Sequence, residues 1–214
     1  MTGIFITFEG IDGVGKTTQV SLLKAFLEEK GLKVLTTREP GGTALGEQIR
    51  SFMSSNLNFL DHFQEKSLAE LFLFITARFD HLENRICPAL KRGEVVICDR
   101  YIDSTRVYQS DAGEATKEFI DILEKLFLIP DITFILDAPV ELAQKNISGR
   151  VADMVCFDNA TKDVLEKRRQ GFLNIARQNP TRCFCINAAR SMEEVFFDIR
   201  DKILKKFPQV LHVT

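Results

Sequence analysis

An α/β fold, built on a parallel sheet of about five strands flanked by helices and carrying a short lid, is what the 214-residue sequence predicts. Short apolar runs of strand length recur along the chain, and sequence with helical apolar spacing separates each run from the next. The first run also leads directly through a glycine-rich turn into a helix. In order, residues 4–8 form the first strand, and residues 17–30 place Val20, Leu22, Leu23, Phe26 and Leu27 at helical spacing, with Gly31 as a C-terminal cap. Residues 33–37, 94–99, 132–137 and 182–187 are the further strands. Residues 146–160 lack regular pattern and are expected to be a mobile lid within a single domain spanning 1–214. A domain of this length buries roughly 70% of its unfolded surface.

The turn after the first strand is Gly10-Ile11-Asp12-Gly13-Val14-Gly15-Lys16-Thr17, followed by Thr18. Its glycines permit a backbone that points successive N–H groups at phosphate oxygens, and the positive end of the following helix reinforces them. Lys16 is placed to reach β- and γ-phosphates and the Thr17 hydroxyl to ligate Mg²⁺. A strand before and a helix after are the context this motif requires, so a fold of the P-loop NTPase type that binds a nucleoside triphosphate is expected.

Composition narrows the rest. With 28 basic and 30 acidic residues the net charge is −2, which gives no overall case for nucleic-acid binding. The start of the chain lacks a basic leader, and Thr7 and Glu9 break the first apolar run, so neither a secretion signal nor a membrane span is expected there, and the location is expected to be cytoplasmic. The five cysteines have no zinc-site spacing. Most are expected to be buried small hydrophobes, Cys183 and Cys185 together on one core-facing side of a strand, whereas Cys156 falls in a loop.

Charged residues stand at the downstream ends of four strands: Glu9, Arg38 with Glu39, Asp99 with Arg100, and Asp137. In a parallel sheet these ends share one edge, where open α/β folds place ligands. Arg38 and Arg100 could converge on an anion or pair with Glu39 and Asp99. Either Asp99 or Asp137 suits a metal-holding strand terminus. Phe74 and Arg78 share a helix face four residues apart and could stack on and hydrogen-bond a base. Core packing is the alternative for Phe74 and a surface ion pair for Arg78, although Arg78 has no acidic neighbour three or four residues away.

The order and spacing of Thr37-Arg38-Glu39-Pro40-Gly41-Gly42-Thr43, the Phe74/Arg78 pair, Asp99-Arg100-Tyr101 and Pro130-Asp131-Ile132-Thr133-Phe134-Ile135-Leu136-Asp137 resemble the thymidylate kinase family over about residues 3–190. The resemblance implies transfer of the γ-phosphate of ATP to dTMP with Mg²⁺. It implies that Phe74 stacks on thymine, that Arg78 binds its carbonyl oxygen, and that Arg38 and Arg100 bind the acceptor phosphate beside Pro40. It selects Asp99 for the metal and places Asp12 near the acceptor 3′-hydroxyl and the metal. Tyr108 would crowd the sugar, with helix packing as its alternative, and Ser104, Thr105 and Gln109 would line the same segment. A homodimer is also implied, with apolar helical stretches at 68–75 and 119–127 available to it or to the core. Kinases for other nucleoside monophosphates or deoxynucleosides, a nucleotide-dependent switch and a non-catalytic binding module are rival readings.

One segment departs from the family pattern. Phosphate loops without an arginine, as here, are usually compensated by lid arginines, yet Met154 stands where an arginine would follow Asp153. Arg150 is the local candidate to stabilise the transferring phosphoryl, with a solvated loop charge as its alternative, and Arg168 or Arg169 could act from the next helix.

Overall fold

The computed structural model describes residues 3–55, 66–109, 114–148 and 161–211. Strand β1 (Ile4–Glu9) is followed by helix α1 (Lys16–Glu29), β2 (Val34–Arg38), α2 (Ala44–Ser55) and α3 (Lys66–His81). A π-helical turn (Leu82–Ile86) joins α3 to α4 (Cys87–Lys91), after which come β3 (Val95–Asp99), α5 (Ile102–Gln109) and α6 (Glu114–Glu124). Then follow β4 (Ile132–Asp137), α7 (Val140–Ser148), α8 (Lys162–Gln178), β5 (Cys183–Asn187), α9 (Met192–Lys206) and a short 3₁₀ turn (Pro208–Leu211). Among the described residues no helix is long and apolar enough to cross a membrane.

The strands form one parallel sheet in the order β2-β3-β1-β4-β5. Alternate side chains of the central strands enter two different cores. Ile6, Phe8, Val95 and Ile97 pack on one face with Val20, Leu23 and Leu27 of α1 and Ile199 and Ile203 of α9. Phe5, Val96 and Cys98 pack on the other face with Leu71 and Ile75 of α3, Leu90 of α4 and Ile120 of α6. Burial on both faces is why these strands read as continuous apolar runs rather than as alternating ones.

Helix ends follow from local chemistry. Gly31, at φ 78°, reverses the chain after α1, and its N–H donates to Glu28 O at 2.9 Å. At α9, Ser191 and Glu194 cap one another reciprocally through side chain and backbone. The cysteine expectation holds for Cys98 and Cys183, which are buried, and fails for Cys185, which is exposed. Strand β5 is an edge strand, and the charged groups acting on Cys185 are Asp137, Arg169 and Arg177. Cys156 lies outside the described residues.

Candidate active site

The turn after β1 supplies the floor of the site. Gly10, Gly13 and Gly15 all have positive φ (128°, 85° and 93°). At Gly13 a Cβ would fall 2.1 Å from Ala143 O, so the loop lies directly on α7, and Asn146 Nδ2 donates to Gly13 O at 2.8 Å. Gly15 precedes α1 without a side-chain cap, which keeps the helix's first N–H groups directed at whatever anion the loop holds. Lys16 is buried, and its Nζ donates to Gly10 O (3.0 Å) and Ile11 O (2.9 Å) while standing 3.6 Å from Asp12 Oδ1. Val14 is buried beneath the loop, and Thr18 is half-buried in the first turn of α1.

The Thr17 hydroxyl donates to Asp99 Oδ2 at 3.1 Å, joining α1 to the end of β3. A hydroxyl and a carboxylate in contact, open toward the phosphate loop, match the all-oxygen preference of Mg²⁺, which keeps several waters and substrate phosphate oxygens in its shell. The other strand-end aspartate, Asp137, is gripped by Arg169 through two bonds of 2.6 and 3.0 Å.

Arg100 follows β3 in a left-handed conformation (φ 69°) that is uncommon for a residue with a side chain. Its N–H donates to Phe8 O at 2.9 Å. Its guanidinium reaches Asp12 Oδ1 at 2.5 Å and Ser104 Oγ at 3.2 Å, and lies 5.1 Å from the Tyr108 ring centre. Burial works against the Asp12 charge, but Arg100 and then Lys16 overcome it and hold the carboxyl well below the usual range. Beneath this pair sits Glu9, fully buried, whose pKa is pushed up to about 8 first by burial and then by Asp103. Glu9 Oε1 accepts the Tyr101 N–H (2.8 Å) and Ser104 N–H (3.3 Å), and Oε2 lies 2.6 Å from Ser104 Oγ. Glu9 thereby pins the start of α5, the helix that carries half-buried Tyr108 and buried Thr105 and Gln109. Asp103 itself is bidentate with Arg182 (2.7 and 2.9 Å).

On the other side of β3, Arg78 is buried at 2% exposure and donates from Nε and Nη2 to Glu39 Oε2, both at 2.7 Å. Its guanidinium lies against the rings of Tyr101 (4.9 Å) and Phe127 (5.4 Å), and Nη1 is buried with no hydrogen-bond partner among the described residues. Burial opposes the charge, and the Glu39 carboxylate outweighs it, so the Arg78 pKa is raised. The surface ion pair considered as an alternative for Arg78 is therefore corrected to a buried one. The sequence hid it because its carboxylate comes from another element. Phe74, one turn before Arg78, is partly buried against the cluster of Ile49, Met53 and Ala77.

Arg38 is exposed and pairs with Glu47 (3.0 Å). The partners weighed from sequence for Arg38 and Arg100, Glu39 and Asp99, are thus replaced by Glu47 and Asp12. Buried Pro40 accepts from Arg50 Nη1 at 3.2 Å. The Arg50 pKa is lowered by burial and then by Arg38, and Asp12 and Asp99 also act on it, which places Arg50 in the field of the site although no motif announced it. Arg150, Asp153 and Met154 lie outside the described residues. Of the arginines on the next helix, Arg169 is held by Asp137 and Glu166, and Arg168 lies 4.6 Å from the Tyr108 ring centre.

Comparison with known proteins gives the same family from three directions. The family model for thymidylate kinase matches residues 8–199. A thymidylate kinase of Bartonella henselae is 45% identical over 207 residues, covering 94% of this chain and 95% of its own length. One of Symbiobacterium thermophilum is 38% identical over 209 residues, covering 96% and 95%. The crystal structure of thymidylate kinase from Ehrlichia chaffeensis superposes with a TM-score of 0.71 at 35% identity, covering 95% of this chain and all of that one.

Proposed function

The chain belongs to the thymidylate kinase family, and on that premise we propose that it transfers the γ-phosphate of ATP to dTMP, giving dTDP and ADP. The observation that carries this reading is the meeting of the phosphate-loop lysine and the arginine that follows β3 on one carboxylate, Lys16 and Arg100 on Asp12. This joins a triphosphate cradle to an acceptor-side cation.

ATP binds with its phosphates in the loop of Gly10 to Thr18, against Lys16 and the N–H groups that begin α1. The dTMP phosphate binds Arg38 and Arg100, its base lies between Phe74 and Arg78 near Pro40, and its sugar faces Tyr108, Asp12 and the segment of Ser104, Thr105 and Gln109. One oxygen of the dTMP phosphate attacks the γ-phosphorus as the bond from that phosphorus to the β-bridging oxygen breaks, and ADP leaves with the electron pair. The acceptor is already anionic, so no general base is needed. Asp12, held ionised by two cations, positions Arg100 and the acceptor rather than removing a proton. Thr17 and Asp99 would hold Mg²⁺, which when bound would neutralise charge on the phosphate oxygens.

The clamp on the transferring group is assigned to Arg150 of the lid segment, about residues 146–160 of a single domain, which also excludes water that would otherwise accept the phosphoryl. The protein acts in the cytoplasm as a homodimer, with neither nucleic acid nor a membrane as partner. Support for the dimer comes from an exposed apolar strip comprising Phe72 (52%) and Phe79 of α3 with Ile122, Leu126 (63%) and Ile129 at and beyond the end of α6. The two stretches expected to serve either dimer or core divide accordingly, since Leu71, Ile75, Ile120, Leu123 and Phe127 are in the core.

The test is ADP release with Mg²⁺-ATP across dTMP, dUMP, UMP, dCMP, dAMP and dGMP, with thymidine and no acceptor as controls. Strong preference for dTMP with little turnover in the controls is expected. Acceptor-independent turnover would instead indicate an ATPase or switch.

A further inference from the structure

We propose that His81 is a positioning residue for base selection, holding the Glu39 carboxylate so that Arg78 presents one guanidinium nitrogen, Nη1, to the acceptor base. The proposal rests on the reading that Arg78 faces the base. Its physical basis is a closed relay across three elements. Thr37 Oγ1, on β2, lies 2.6 Å from His81 Nε2. His81 Nδ1, at the end of α3, lies 3.1 Å from Glu39 Oε1. The other oxygen of Glu39 takes both Nε and Nη2 of Arg78.

A carboxylate only accepts, so the imidazole contact with Glu39 fixes Nδ1 as a donor. With one oxygen held by His81 and the other by the guanidinium, Glu39 has no freedom to rotate away, and the guanidinium plane is set with it. Two of the three guanidinium nitrogens are thereby consumed. The third, Nη1, is buried and has no partner among the described residues, a state that costs free energy unless a ligand supplies an acceptor. Nη1 can only donate, so it rewards a base with a carbonyl at that point and penalises one that presents an amino group. The turn over the relay is shaped to spare it, since a Cβ at Gly42, whose φ is 80°, would fall 2.3 Å from Thr37 Oγ1 and 2.5 Å from His81 Nε2. His81 is wholly buried, so its role is exerted through Glu39 and Arg78 rather than by contact with substrate.

The test is the ratio of kcat/KM for dTMP to that for dCMP, with KM for ATP measured alongside. An asparagine amide nitrogen can occupy the place of Nδ1 and a glutamine amide that of Nε2. His81→Asn therefore keeps the bond to Glu39, whereas His81→Gln keeps the one to Thr37. We expect His81→Gln to lower the dTMP/dCMP ratio about tenfold and His81→Asn to stay within about threefold of the parent, with KM for ATP unchanged in both. Equal losses in the two variants, or a ratio unchanged in His81→Gln, would overturn the proposal. If His81→Gln does not fold, His81→Leu removes the bond to Glu39 with a side chain of similar volume, and an unchanged ratio there would overturn it equally. Arg78→Met separates the two levels: if it leaves the ratio intact, the base-facing reading of Arg78 fails and this proposal with it. If Arg78→Met collapses the ratio while His81→Gln does not, only the role of His81 fails.

Discussion

Arg100 Nη2 lies 2.5 Å from Asp12 Oδ1, which couples the residue after β3 to the phosphate loop after β1. The carboxylate fixes the fork of a guanidinium whose backbone is itself in a left-handed conformation. Arg100→Ala is expected to lower kcat/KM for dTMP by about 10²–10³-fold, the usual loss when a preorganised donor to developing phosphate charge is removed. Arg100→Lys should recover little, because a lysine cannot bridge Asp12, Ser104 and a phosphate together. Steady-state kinetics with dTMP varied at saturating ATP checks both.

Glu9 gives the protein a predictable dependence of stability on pH. Its carboxyl has an ordinary value of 4.5 and is pushed to about 8 in the fold, so between those values the folded protein holds a proton that the unfolded chain has released. Stability from this group therefore falls as pH rises from about 4.5 toward 8. Glu9→Gln, which keeps a hydrogen-bonding group beside Ser104, should flatten that decline. Thermal melts of both proteins across the range measure it, and parallel curves would refute the assignment.

Glu39 and Arg78 form an ion pair inside the fold, both nearly free of solvent contact. Glu39→Ala leaves the guanidinium buried without its counter-charge and should destabilise by about 3–5 kcal/mol. Adding Arg78→Met should recover most of that loss in chemical denaturation while leaving use of dTMP impaired. Stability and base recognition would thereby be separated in one pair of proteins.

Arg150 is tested by Arg150→Ala. If it clamps the transferring phosphoryl, kcat at saturating substrates should drop by at least about tenfold, with KM for dTMP little changed, because the contact forms mainly in the transition state. Wild-type kcat would transfer the role elsewhere, with Arg168 over Tyr108 next in line.

The apolar strip on α3 and beyond α6 is probed by Leu126→Glu, an exposed site where a charge does not disturb the core. Sedimentation at micromolar concentration should give a monomer for the variant and a dimer for the parent.

The strands were legible nearly to the residue. The second strand, expected at 33–37, is Val34–Arg38, and the fourth coincides with Ile132–Asp137. Burial on both faces makes such segments uniformly apolar, and glycine marks the loop and helix ends. The phosphate loop was legible for the same reason, being contiguous in the chain. What was not legible was the pairing of charges between elements. Glu39 with Arg78 and His81, Asp137 with Arg169, and Asp103 with Arg182 join positions that no periodicity relates. The exposure of Cys185, two residues along the edge strand β5 from buried Cys183, is likewise marked by no local pattern.

The sheet order also governs when the protein becomes an enzyme during folding. Strand β1 pairs with β3 and β4, both distant in the chain, and not with its sequence neighbour β2, which lies beyond β3. Thr17 cannot meet Asp99, nor Asp12 meet Arg100, until Phe8 stands opposite Asp99 in that register. Such non-local pairings form late and slowly. Regain of activity after dilution from denaturant should therefore lag the recovery of helical circular dichroism and coincide with closure of the sheet.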